Sequence, residues 1–149
     1  MDLGRFSQRL RGVQVGANLA VIHSDVTLSP EQMMNATNAQ RPLAGQSPFV
    51  ANVMLGVAPP QSRFSAFVFY NVFGRRLEDV GTFNLPDIYQ ETFHQLDASV
   101  VWDPVRNVQF RFVIRNLLNQ GQVFSAGNDY VAQRSIPATT LTLRATVTY

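Results

Sequence analysis

The chain has 149 residues, enough for one domain with a sizeable core, yet only 15% of it is charged while 46% is hydrophobic. Soluble domains carry about 25% charged residues. All twelve basic residues are arginines, scattered along a chain of net charge +2, which argues against a nucleic-acid surface. The absence of cysteine excludes disulfides, thiolate metal sites and cysteine nucleophiles.

Mean hydropathy is −0.02, and no run approaches the roughly 20 consecutive apolar residues of a transmembrane helix. The opening stretch, MDLGRFSQRLRG, lacks the apolar core and small-residue cleavage site of a signal peptide. Either a cytoplasmic protein or a piece of a longer one is expected.

Six segments then alternate with period two, the mark of strands with unlike faces. Residues 12–26 set Val13, Val15, Ala17, Leu19 and Val21 against Gln14, Gly16, Asn18 and Ala20. Residues 48–57 set Phe49, Ala51, Val53 and Leu55 against Val50, Asn52 and Met54. Residues 63–74 are aromatic on both faces, so their facing stays open. Residues 92–102 set Leu96, Ala98, Val100 and Trp102 against Gln95, Asp97, Ser99 and Val101. Residues 108–118 oppose Val108, Phe110, Phe112 and Ile114 to Gln109, Arg111, Val113 and Arg115. Residues 138–149 oppose Leu141, Leu143, Ala145, Val147 and Tyr149 to Thr142, Arg144, Thr146 and Thr148. Helical periodicity is absent apart from SPEQMMNA (29–36), which suits one turn with Ser29 as cap and Pro30 first.

The connections alternate strictly between long and short. Three long ones follow the first, third and fifth segments; APPQS and DPVRN are the short ones. Strands joined in order would place every long loop at one end. Loops beyond about 12–15 residues are uncommon in compact domains, whereas outer-membrane barrels pair short periplasmic turns with long extracellular loops. Several strands also reach the roughly 9–11 residues of a membrane-crossing strand. The expected fold class is therefore all-β: an antiparallel up-and-down meander of about six long strands, a partial transmembrane β-barrel.

Four stretches carry a family resemblance. RPLAGQSPFVANVML resembles the approach to a late barrel strand of TonB-dependent outer-membrane receptors. FVFYNVFGRRLEDVG is similar to the next part, an aromatic strand ending Tyr-Asn and then Gly-Arg-Arg. LPDIYQETFHQLDASVVW and FRFVIRNLLNQ resemble the pieces that follow, in family order. The resemblance covers nearly the whole chain. It implies that residues 1–149 are the C-terminal part of a receptor barrel in the bacterial outer membrane. Such receptors carry a signal peptide, a TonB-contacting segment, a plug and a barrel of about 22 strands, so this chain is expected to be a fragment. The implied partners are outer-membrane lipid, the remaining strands and plug, and the barrel assembly machinery, with TonB reached only through the missing N-terminal part. The implied function is import of a scarce nutrient of the iron–siderophore, cobalamin or glycan class, for which the fragment alone would not suffice. The terminal Tyr149, preceded by Leu141, Leu143 and Val147, is similar to the family's assembly signal, which more often ends in Phe. An ordinary amphipathic strand ending in tyrosine is the plain alternative. A soluble all-β binding module and a passive porin-like barrel stay open as other readings.

Candidate sites are few. Asn18, Asn52, Asp97, Arg111, Arg115 and Arg144 are expected to face a barrel lumen, with inter-strand ion pairing as the structural alternative. Loop residues Arg75, Arg76, Tyr89, Tyr130 and Arg134, with Phe124, suit ligand capture or an aromatic girdle. Trp102 and Tyr149 suit the girdle. His94 lies near Asp97 and Glu91, and His23 stands alone, but no zinc-like spacing appears. No nucleophile motif or phosphate loop is present, so neither enzymatic activity nor a cofactor is expected.

Overall fold

A computed structural model of the chain describes residues 3–5, 7–127, 130–135 and 137–149. Met1, Asp2 and Phe6 of the opening stretch, and Asn128, Asp129 and Ile136 of the third long loop, lie outside the described residues. Twelve strands follow in chain order: β1 (Val13–Val21), β2 (Val26–Thr27), β3 (Gln40–Arg41), β4 (Phe49–Val57), β5 (Phe64–Phe73), β6 (Arg76–Asp79), β7 (Ile88–Gln90), β8 (Phe93–Val105), β9 (Val108–Arg115), β10 (Gln122–Ala126), β11 (Tyr130–Ser135) and β12 (Thr140–Val147). The helical content among the described residues is three short 3-10 turns, none able to cross a membrane. One, Gln32–Met34, realises the single turn expected near residue 30, but it starts after Glu31 rather than at a Ser29 cap.

The six long strands form one antiparallel sheet in the order β1-β4-β5-β8-β9-β12. It is an up-and-down meander, because long strands that follow one another in the chain are neighbours in the sheet. Turns 58–63 and 106–107 lie at one end, and the three long connections lie at the other. The sheet is not closed, since β1 and β12 each leave one edge unpaired.

Period-two alternation dictates two unlike faces. One carries Val13 to Val21, Phe49 to Val57, Phe64 to Val72, His94 to Trp102, Val108 to Ile114 and Leu141 to Val147, at alternate positions. Apart from Tyr70 and His94 it is wholly apolar. The register also fixes the facing of β5, which the sequence leaves open: Asn71 lies opposite Asn52. Phe67, Phe69 and Phe73 thereby join the polar face. Phe67 fills space that glycine opens, since a Cβ on Gly56 would collide with its ring.

Neither face of the long strands is covered. The buried hydrophobics among the described residues are Leu77 and Phe93, both near the long-loop end. No apolar-face residue of the six long strands is buried; Leu55 is 53% exposed and Leu143 60%. The accessible surface is 10555 Å², whereas a compact domain of this mass would show about 7,600 Å².

The long loops are folded rather than structureless. A second sheet, ordered β11-β10-β7-β6, prolongs the first. Strand β6 starts two residues beyond β5, and β7 ends two residues before β8. The β5–β8 hairpin thus runs on past Gly74, and β10–β11 sits beside it. The minimal pair β2–β3 orders the first long loop.

Candidate functional site

The polar face carries a seam of side-chain amides. Asn18, Asn52, Asn71 and Gln95 stand directly opposite one another on β1, β4, β5 and β8. Asn52 donates from Nδ2 to Asn18 Oδ1 at 2.7 Å and accepts from Asn71 Nδ2 at 2.6 Å. Gln95 donates to both oxygens of Asp97, at 3.1 and 3.0 Å. Of the residues expected on this face, Asn18 and Asn52 are brought into direct contact. Gln95, on the polar side of its own strand in the alternation, and Asn71 fall into the same row, an adjacency that only the register between strands sets.

Asp97 lies on this same polar face, opposite Phe69. Its Oδ1 also accepts the backbone N–H of Asn116 at 2.9 Å. The ion pairs among the described residues are Arg75–Glu91 and Arg76–Glu78, so Asp97 forms none with Arg111, Arg115 or Arg144. Arg111, Arg115 and Arg144 pair with no carboxylate among the described residues. Arg111 and Arg144 are direct cross-strand partners, and with Arg115, Val113 and Thr142 they line one depression on the polar face.

At the long-loop end a second polar cluster forms. Asp87, 4% exposed, accepts from Asn38 Nδ2 at 2.6 Å and from the Gly81 N–H at 2.7 Å, while its backbone carbonyl accepts from Gly127 N at 3.3 Å. One residue thus ties all three long loops together. Beside it, Arg75 stacks 4.1 Å over the Tyr89 ring and pairs with Glu91 at 2.9 Å; Glu91 also accepts from the Ser125 hydroxyl. Arg75, Tyr89, Asp87, Asn38, Asn84 and Gly127 surround an open groove.

Of the loop candidates, Arg75 and Tyr89 meet in this groove. Arg76 turns instead to the Phe73 ring, 4.7 Å away, and to Gln90 Oε1 at 2.8 Å. Tyr130 and Arg134 lie on β11 at the outer edge of the small sheet, both exposed, and Phe124 pairs with Gln90 across β10 and β7. Asn38 carries no sequence signal beyond its place in a loop, and Asp87 stands out only as part of the LPDIYQ stretch that bears the family resemblance.

Comparison of the chain with protein-family models, with curated proteins and with solved structures finds no match. Its function has to be read from its own residues and geometry.

The remaining candidates take positions on the apolar face or beyond it. His94 projects opposite to Asp97 and lies 2.6 Å, Nδ1 to Oη, from Tyr70; no group of three metal-ligating side chains forms among the described residues. Trp102 stacks on Phe110 at 5.7 Å, and Phe64, Trp102 and Phe110 form one cross-strand row at the short-turn end. Leu141, Leu143 and Val147 pair with Ile114, Phe112 and Val108. Tyr149 lies past the end of β12, fully exposed.

Proposed function

We propose that the chain is a membrane-embedded segment of an outer-membrane β-barrel receptor, of the TonB-dependent kind its sequence resembles. In this reading it lines the import path of a scarce nutrient such as an iron chelate, cobalamin or a glycan. One observation carries the proposal: a six-stranded meander presents a continuous apolar face, none of it buried, with short turns at one end and long folded loops at the other. Lipid solvates such a face without a second protein layer, whereas a soluble sandwich would bury it between two sheets. The aromatic row around Trp102 and the Tyr70–His94 pair bracket the apolar band. Eight residues separate Trp102 from His94 along β8, about 26 Å of strand and about 19 Å once tilted, of the order of the roughly 25 Å band between aromatic girdles.

The unpaired edges of β1 and β12 support the same reading. Open edges in hydrocarbon cost several kcal/mol per unsatisfied group, so further strands would complete the wall. Met54, Phe67, Phe69 and Phe73 make the inner face less polar than a water-filled pore requires, which favours a lumen occupied by a plug over a passive porin. The groove around Arg75 and Tyr89, at the long-loop end, would face the outside and meet the ligand first.

Trp102 is the sole tryptophan, so its fluorescence tests the reading directly. In bilayers containing brominated acyl chains, Trp102 emission should be blue-shifted and strongly quenched. A chain that stays monodisperse in water, with Trp102 unquenched by such bilayers, would remove the membrane assignment and leave the soluble binding module.

A further inference from the structure

We propose that Arg111, Arg115 and Arg144 form a binding site for a small multivalent oxyanion, a polyphosphate or polycarboxylate. The three side chains rise from two neighbouring strands, β9 and β12, and line one depression with Val113 and Thr142. All three arginines are exposed, and none is joined to a carboxylate among the described residues. Arg111 and Arg144 stand directly opposite each other, an arrangement that like-charge repulsion disfavours.

The two carboxylates that β8 carries already have partners. Asp97 accepts from Gln95 and from the Asn116 N–H, and Asp103 accepts from Gln109 Nε2 at 3.0 Å. A bound oxyanion supplies the missing negative charge. Guanidinium groups present planar forks that hold phosphate or carboxylate oxygens in bidentate pairs, and three of them around one depression match an anion with more than one charged group. Thr142, which also lines the depression, carries a hydroxyl that can donate to such an anion. The site lies on the face opposite the apolar one, so it stands or falls whether lipid or water covers that other face.

The test is calorimetric titration of the folded chain, in micelles or in buffer, with pyrophosphate and with tricarballylate. Saturable one-to-one binding is expected for at least one probe. Arg111→Gln and Arg144→Gln should each weaken it about tenfold or more, as loss of a charge-assisted pair does. Arg11→Gln removes the same charge beside β1, at the opposite edge of the sheet, and should change affinity little. Pyrophosphate should raise the melting midpoint of the wild type and not that of Arg144→Gln. Without anion, Arg144→Gln should melt no lower than wild type, because it relieves repulsion and breaks no contact. Equal weakening by Arg11→Gln would reduce the effect to diffuse charge and overturn the site. Absence of binding by both probes would overturn it too, as would arginine-dependent binding of a glutamate-rich peptide alone, which would make this face a protein-docking surface.

Discussion

Asn116 donates its backbone N–H to Asp97 Oδ1 at 2.9 Å, so the carboxylate in the middle of the polar face closes the end of β9. Asn116 itself is 6% exposed and takes a left-handed conformation, φ 55°. Its Nδ2 donates to Pro137 O at 2.7 Å and to Gln120 O at 3.3 Å, and its Oδ1 accepts the Gln120 N–H at 3.2 Å. The Thr139 hydroxyl donates to its carbonyl at 2.8 Å. This one residue stops β9 and ties down the approach to β12.

Asn116→Ala should therefore lose about 1–3 kcal/mol, from buried hydrogen bonds left unmade and a positive φ that alanine resists. Asn116→Gly restores the backbone freedom but not the side-chain bonds, and should recover only part of that loss. Urea denaturation of the three proteins, followed by far-ultraviolet circular dichroism, measures both steps. Equal stability of Asn116→Gly and wild type would leave the side chain without a structural role.

The amide seam predicts a second, smaller effect. Asn52 is half-buried and bonds on both sides, so Asn52→Ala should cost about 1–2 kcal/mol. Asn52→Asp keeps the acceptor for Asn71 and loses the donor to Asn18, and should fall between. A double-mutant cycle of Asn52→Ala with Asn71→Ala should show coupling, since the two side chains share a hydrogen bond. Strict additivity would mean that water replaces the seam at no cost.

Six of the twelve strands were legible in the sequence, because they are long and their alternation is sustained. Val13 to Val21 and Leu141 to Val147 announce their faces residue by residue. The six shorter strands were not legible. Residues 76–79 and 88–90 are too short to establish a period, and they exist because the β5–β8 hairpin already aligns them. The same distinction governs the sites. Asn18 and Asn52 are conspicuous as polar residues in apolar strands. The pairing of Asn71 and Gln95 with them depends on register, which local sequence does not encode. The bond from the Asn116 N–H to Asp97 is hidden for the same reason, because it depends on where β9 ends beside β8 and not on the charge pattern of either strand.

The long loops should behave as one unit, held by Asp87. Both of its side-chain partners, Asn38 Nδ2 and the Gly81 N–H, are donors. Asp87→Asn places an amide donor against one of them in either orientation, at a cost of about 1–3 kcal/mol for a buried group. The loss should be local. Amide hydrogen exchange should quicken around residues 37–38, 81–87 and 127, with exchange in β4, β5 and β8 unchanged. Uniform acceleration through both sheets would show that the loops and the long strands open together instead.

Gly56 makes a prediction about the inner face. It is buried on β4 opposite Phe67 of β5, and the ring lies where a Cβ would project. Gly56→Ala must push Phe67 aside, and overpacking of this kind costs about 1–3 kcal/mol. Phe67→Leu removes the ring and loses apolar contact by itself. In the double variant the leucine has room beside the new methyl, so the two losses should not add. Melting midpoints of the four proteins give the cycle directly. Additive losses would mean that Phe67 swings freely away from the sheet and that Gly56 is needed for its backbone rather than for the space it leaves.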